Sequence, residues 1–239
     1  MKKIDDETKK IISRFSEENL KHEKSKHLHK ILFWQSFIKF SYGLKRFIDF
    51  FLSLIAIILF SPLFVLTALA IFLENPGPIV YSQQRIGKDG KPFQFYKFRS
   101  MIVDAEKLKD RLLHYNESEN GVIFKMKFDP RITRVGRLIR RYSIDELPQF
   151  INVLKGEMSM VGPRPPLPIE VNQYTLEDRK RLHIKPGITC IWQIEGRSDI
   201  PFNKQVELDK QYIRSQSLWE DIKILLKTIP AVITGKGAY

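Results

Sequence analysis

Arginines stand at 131, 134, 137 and 140, and the same run then carries two adjacent acids, Asp145 and Glu146. On a helix, a spacing near one turn gathers such arginines into one positive stripe. Guanidinium groups suit phosphate because they donate paired hydrogen bonds and keep their charge. Acids set at the end of such a stripe match the needs of phosphoryl chemistry. The arginines would hold phosphate oxygens, the carboxylates would take Mg2+, and one carboxylate would attack phosphorus. An architectural reading is equally open: Ser143 caps a helix and Glu146, three residues on, closes a capping box. The two are compatible, because a cap would also fix Asp145.

Two further groups of residues suit an anion. Gly162-Pro163-Arg164-Pro165-Pro166 locks the backbone on both sides of one arginine, as a rigid linker or a guanidinium presented to phosphate would require. Lys97 and Arg99 alternate with aromatics in Tyr96-Lys97-Phe98-Arg99-Ser100, so on a strand both charges share a face. An exposed polar face is the plain alternative. The chain has neither a Cys/His cluster of zinc spacing nor a glycine-rich phosphate loop, which argues against P-loop and dinucleotide chemistry.

The elements that must position these residues follow from the chain's patterning. The 239 residues carry a net charge of +13, which calls for polyanionic partners: nucleic acid, lipid headgroups or phosphorylated substrates. The single cysteine, Cys190, excludes an internal disulfide. Residues 1–43 form a basic arm. Its His22, His27 and His29 read as solvated, and its aromatic stretch at 31–40 suits an interfacial helix. No cleavable signal peptide is expected there. Residues 44–75 hold an apolar block, with no charge from Phe50 to Leu73, interrupted by Ser61-Pro62. The proline kinks a helix, the serine hydroxyl can satisfy a freed carbonyl, and basic residues flank both ends. These features favour a re-entrant hairpin over a single span. Residues 76–239 predict a compact α+β domain. It has a β-hairpin over 79–98, helices near 100–114, 133–154 (bounded at Pro148), 169–183 and 203–214, and an amphipathic helix at 218–233. Loops are expected at 116–121 and 156–168.

Taken in order, these motifs resemble the monotopic phosphoglycosyl transferases of the bacterial sugar transferase family. The matching elements are Lys45-Arg46-x-x-Asp49, Ser61-Pro62, Gln84-Arg85-x-Gly87, Tyr96-Lys97-Phe98-Arg99-Ser100-Met101, Asp129-Pro130-Arg131, Ser143-x-Asp145-Glu146-Leu147-Pro148-Gln149 and Gly162-Pro163-Arg164-Pro165. The resemblance spans about residues 44–239. It implies a helical α+β catalytic domain with a small antiparallel hairpin, attached to a re-entrant membrane helix broken at Ser61-Pro62. It also implies a bacterial inner membrane location with the catalytic domain cytoplasmic.

The implied reaction moves hexose 1-phosphate from a UDP-sugar to polyprenyl (undecaprenyl) phosphate and releases UMP. Asp145 is the implied nucleophile, and Glu146 its partner in Mg2+ binding or proton handling. Arg140 and Arg164 are implied phosphate ligands, with Arg141, Lys97 and Arg99 grouped beside them. Lys45, Arg46, Asp49, Ser61 and Pro62 would face membrane and lipid. Nucleic acid is not an implied partner; a homodimer is compatible.

The C-terminal motifs Lys185-Pro186-Gly187-Ile188-Thr189, Trp192-Gln193-x-x-Gly196-Arg197 and Ser217-Leu218-Trp219-x-Asp221-Ile222 are similar to the branch that primes exopolysaccharide, capsule and O-antigen assembly. That similarity points to UDP-glucose or UDP-galactose. Two departures stand out. A short basic arm occupies the place of the branch's multi-span domain, and Cys190 stands where a small residue such as glycine is expected. A non-catalytic, membrane-anchored basic domain that binds anionic lipid or nucleic acid would also explain the charge and the apolar block. It leaves unexplained the acids beside the arginines, which weaken polyanion binding.

Overall fold

A computed structural model describes residues 2–117, 126, 128–235 and 237. The chain forms two compact units, one ending at Phe47 and one comprising Ile48–Tyr239. Helix α1 (Lys2–Leu59) includes residues 2–43 of the arm. Helix α2 (Ser61–Glu74) follows after a bend of 60°.

The chemistry of the bend explains its position. Pro62 has no N–H to give the carbonyl of Ile58, four residues back. The Ser61 hydroxyl donates to that carbonyl instead, at 2.8 Å. Helical bonds continue on either side, from Phe60 N to Ala56 O and from Phe64 N to Phe60 O, both 2.9 Å. The break therefore leaves the Ile58 carbonyl satisfied, as apolar surroundings would demand. Around it Ile58 is 65% exposed and Val65 68% exposed, and Ile55, Leu59, Leu66, Leu69 and Leu73 are also uncovered. Among the described residues no single helix is long and apolar enough to cross a membrane; the bent pair meets that criterion together.

Glu74 closes α2 and reaches helix α4 (Arg134–Arg141). Its carboxylate accepts from Arg134 N at 2.7 Å and Val135 N at 2.9 Å, two of the N–H groups left open at a helix start. Gly136 lets α4 lie against Ser100, since a Cβ there would collide with the Ser100 carbonyl.

The expected hairpin forms from β1 (Val80–Ile86) and β2 (Pro92–Phe98), antiparallel, with Val80 opposite Phe98 and Ile86 opposite Pro92. Helix α3 (Ala105–Leu112) follows. Most of the loop expected at 116–121 lies outside the described residues. The helix expected over 133–154 is broken. After α4, Ser143 takes a left-handed backbone (φ 54°), Ile144–Glu146 makes one tight 3-10 turn, and α5 (Gln149–Lys155) begins. Ser143 makes no side-chain capping bond, so the capping box is not formed.

The expected loop at 156–168 contains a short strand. There β3 (Ser159–Val161) pairs in parallel with β4 (Gly187–Thr189). Gly162 and Gly187 permit the approach, because a Cβ on either would strike the other strand's backbone. The helical stretch expected at 169–183 is divided into α6 (Pro168–Asn172), α7 (Leu176–Arg179) and a 3-10 turn. Helices α8 (Ile191–Glu195), α9 (Phe202–Ser215) and α10 (Leu218–Thr234) complete the domain.

Three apolar clusters support the site. Phe98, Ile71 and Ile139 join β2, α2 and α4. Phe93, Phe95, Val153 and Met158 join the hairpin to α5. Trp192, Leu208, Tyr212 and Ile224 join α8, α9 and α10 around β3 and β4. Helix α10 turns Asp221 and Ile224 inward and leaves Trp219, Ile222, Leu226, Ile229 and Ile233 exposed.

Candidate active site

The 3-10 turn after α4 places Asp145 and Glu146 in a cavity of about 850 Å³. The left-handed Ser143 ends α4 and redirects the chain, so the acids point into the domain. Asp145 is 5% exposed. Strand β2 delivers Lys97 between them: its Nζ donates to Glu146 Oε1 at 2.7 Å and to Asp145 Oδ2 at 3.4 Å. The proline-locked loop brings Arg164 Nη1 to 3.9 Å from Glu146 Oε1. Arg140, in the last turn of α4, acts electrostatically on Asp145 and lines the same cavity.

These cations divide the two acids. Burial pushes the Asp145 carboxyl above the ordinary carboxylate range; Lys97 and Arg140 pull it back part-way, and the Glu146 charge adds to the rise. Burial also acts upward on Glu146, but Lys97 and Arg164 outweigh it and hold its carboxyl below the ordinary range. Adjacent carboxylates with separated protonation are suited to different roles.

The Arg164 loop is stitched on both sides. Arg85 Nη1 donates to Pro165 O at 3.1 Å, Ile86 N to Pro166 O at 3.0 Å, and Gly187 N to Pro163 O at 2.9 Å. Behind it, Arg85 Nη1 lies 3.9 Å from Glu170 Oε1, and Arg181 is paired with Asp209 and donates to Tyr174 Oη at 2.7 Å.

Lys97, Arg140, Asp145, Glu146 and Arg164 thus share one cavity. Arg131 lines it too, whereas Arg99, Arg134, Arg137 and Arg141 are not among its lining residues. The Arg99 guanidinium donates to the Asn75 carbonyl and packs under Gly77, so it braces the turn after α2. Arg141 is exposed over the ring of Tyr142, with its stem against Gly235. Arg131 precedes α4 and pairs with Asp129 at 2.7 Å, while Arg134 and Arg137 face solvent, so the expected four-arginine stripe does not form. Asp49, grouped with lipid-facing residues from sequence, is instead buried, and its Oδ1 accepts from Met160 N of β3 at 3.0 Å. A carboxylate on an apolar helix needs such a donor. Ser61 and Pro62 form the bend, and Lys45 and Arg46 lie on α1 in the unit ending at Phe47. Cys190 is buried, and burial pushes its thiol up.

Arg197 also belongs to the site. Burial lowers its pKa while Glu146 and Asp145 raise it, it lines the cavity, and its backbone is left-handed (φ 54°). Its Nη1 donates to Arg141 O at 3.4 Å. The Gly196-Arg197 pair is visible in sequence; the backbone geometry that turns the arginine inward is not.

The same cavity also has apolar lining. Leu52, Phe60 and Leu63 come from the α1–α2 bend, and Leu225, Ile229 and Val232 from α10. One chamber is therefore lined by both charged and apolar side chains. As for a metal, Asp145 and Glu146 offer two carboxylates, and no group of three Asp, Glu, His or Cys ligands occurs among the described residues. Two carboxylates fit Mg2+ when substrate phosphates and water complete its octahedron.

Comparison with known proteins finds relatives over most of the chain. The sequence profile "Bacterial sugar transferase" matches residues 40–235. "Galactosyl transferase CpsE" of Streptococcus agalactiae is 47% identical over 215 residues, covering 87% of this chain and 46% of that protein. "Exopolysaccharide production protein ExoY" of Rhizobium meliloti is 38% identical, covering 82% of this chain and 88% of that protein. "UDP-glucose:undecaprenyl-phosphate glucose-1-phosphate transferase" of Escherichia coli is 43% identical, covering 82% of this chain and 41% of that protein. The chain thus spans less than half the length of two of these three relatives.

Proposed function

The chain belongs to the bacterial sugar transferase family, and from that premise we propose that it transfers hexose 1-phosphate from a UDP-sugar to undecaprenyl phosphate, releasing UMP. The observation that carries this is the Asp145–Glu146 pair, Asp145 buried and Glu146 half-buried, held by Lys97 and faced by Arg140 and Arg164, in one cavity that also has apolar lining. That chamber can admit a charged sugar nucleotide and the phosphate end of a lipid together.

In this reading the Asp145 carboxylate attacks the β-phosphorus, which bears the sugar. The bond from that phosphorus to the bridging oxygen breaks, and the oxygen leaves with UMP. A phosphate oxygen of the lipid then attacks the same phosphorus, forming the lipid diphosphate sugar and freeing the Asp145 carboxylate. Splitting one displacement in two is the general advantage of a covalent nucleophile. Arg164, Arg140 and Lys97 lower the repulsion between an anionic nucleophile and an anionic phosphate. Glu146, ionised by its neighbours, keeps Lys97 in place. Mg2+, held by Asp145 and Glu146 together with the diphosphate, would supply further charge neutralisation. UDP-glucose and UDP-galactose are the favoured donors, because relatives named for glucose and galactose transfer match over most of this chain.

The α1–α2 bend would lie in the bacterial inner membrane as a re-entrant hairpin, its flanks and the catalytic domain on the cytoplasmic face. The Ser61 hydroxyl bond to the Ile58 carbonyl and the uncovered apolar residues around the bend support that placement. The deciding assay is purified protein in lipid nanodiscs with undecaprenyl phosphate, Mg2+ and a panel of UDP-sugars, reading the nucleotide released. UMP is expected; UDP would mean attack at the anomeric carbon and would refute the phosphoryl mechanism.

A further inference from the structure

The Gly162–Pro166 loop presents Arg164 without binding its head. Among the described residues the Arg164 guanidinium makes no hydrogen bond, and its ionic contact, Glu146 Oε1 at 3.9 Å, lies beyond hydrogen-bond reach. What it does meet is a ring: Arg164 Cζ stands 5.9 Å from the centroid of Trp192. Trp192 is 6% exposed and packed with Leu208, Tyr212 and Ile224, so the ring cannot easily turn away. It also lines the cavity.

The way the arginine is held matters for its chemistry. A carboxylate or carbonyl partner would consume guanidinium N–H donors. An aromatic face fixes the planar group through its quadrupole and leaves all five donors open. Elsewhere in the domain the opposite arrangement holds: Arg131 spends its donors on Asp129, and Arg181 on Asp209 and Tyr174. Arg164 differs in having a backbone locked by prolines, a ring beneath and its donors unspent.

We infer that Trp192 is a positioning residue: it shelves the Arg164 guanidinium and aims its free donors at the phosphate that Asp145 attacks. The inference rests on the transferase reading of this cavity. Trp192 needs no contact with substrate, since it acts through Arg164.

The test is a double-mutant cycle on the full chain in nanodiscs, using Trp192→Phe, Trp192→Met, Arg164→Lys and the pair Trp192→Met/Arg164→Lys. Two readouts are taken: kcat and KM for the UDP-sugar by UMP release, and UDP affinity by calorimetry. Trp192→Phe should stay within about twofold of wild type, because an aromatic face remains. Trp192→Met should lose about tenfold in kcat/KM and weaken UDP binding. The double variant should be no worse than Arg164→Lys alone, since coupled residues are not additive. Losses that multiply, or a Phe variant as poor as the Met variant, would overturn the shelf.

Should Trp192→Met fail to fold, fluorescence decides. The chain has three tryptophans, so Trp34→Phe with Trp219→Phe leaves Trp192 as the only indole. Adding Arg164→Met must then shift its emission; an unchanged spectrum refutes the contact. The same spectrum serves if no UDP-sugar is turned over. An emission shift together with a Trp192-dependent UDP affinity would then keep the shelf while the transferase reading falls.

Discussion

Asp145 carries opposed demands. Its carboxyl is buried and its pKa raised, yet the nucleophilic role proposed for it needs the ionised form. Activity should therefore fall as pH drops through a midpoint above the ordinary aspartate value of 3.8. Lys97 lowers that midpoint, so Lys97→Met should move the acid limb of the kcat/KM profile to higher pH; an unmoved limb would remove Lys97 from the pair. The stability sign is the reverse. A carboxyl whose folded pKa is raised contributes stability below its unfolded pKa and loses it as pH rises through the folded value. Asp145→Asn should thus melt no lower than wild type at neutral pH while losing at least about a thousandfold in turnover. Retained turnover would show that another group is the nucleophile. At this scale the dyad and Arg164 were legible in sequence, because short motifs bear them. The fates of Arg99 and Arg131 were not. Both are guanidiniums beside phosphate-like motifs, yet one braces the Asn75 carbonyl and the other spends its donors on Asp129. Sequence spacing does not reveal which arginine already has a partner.

Among the elements, the Ser61-Pro62 bend makes a sharp prediction. Ser61→Ala leaves the Ile58 carbonyl without its donor, at a cost of about 0.5–1.5 kcal/mol. Pro62→Ala restores a backbone N–H and should straighten the helix. Single cysteines at 40 and 90 should be labelled from the same membrane face in the parent chain and from opposite faces in the Pro62→Ala chain. Opposite labelling in the parent would sink the hairpin. Gly136→Ala should destabilise by about 1–3 kcal/mol, read as a lower melting temperature, because its methyl group meets the Ser100 carbonyl. The hairpin at 80–98 was legible because its alternation brackets a turn. The β3–β4 pair was not. Its strands are three residues each, embedded among glycine and proline, and their partner lies far along the chain. Helix α10 was legible as amphipathic, but periodicity alone cannot say that its apolar stripe from Trp219 to Ile233 stays uncovered.

For the whole molecule, the bend, the Asp49 contact and the Glu74 clamp join the apolar helices to the parts that carry the acids and Arg140. The clamp has a mechanical consequence. Helix α4 has 8 residues, so it is a rod of about 12 Å, hinged at its start on Glu74 and carrying Arg140 near its other tip. A tilt of about 10° at the hinge would carry that tip through about 2 Å, comparable to the error that spoils catalytic alignment. The depth at which the apolar elbow settles would then be felt as leverage on Arg140. Turnover should vary with acyl-chain length across a series of nanodiscs, and Glu74→Gln, which slackens the hinge, should flatten that dependence.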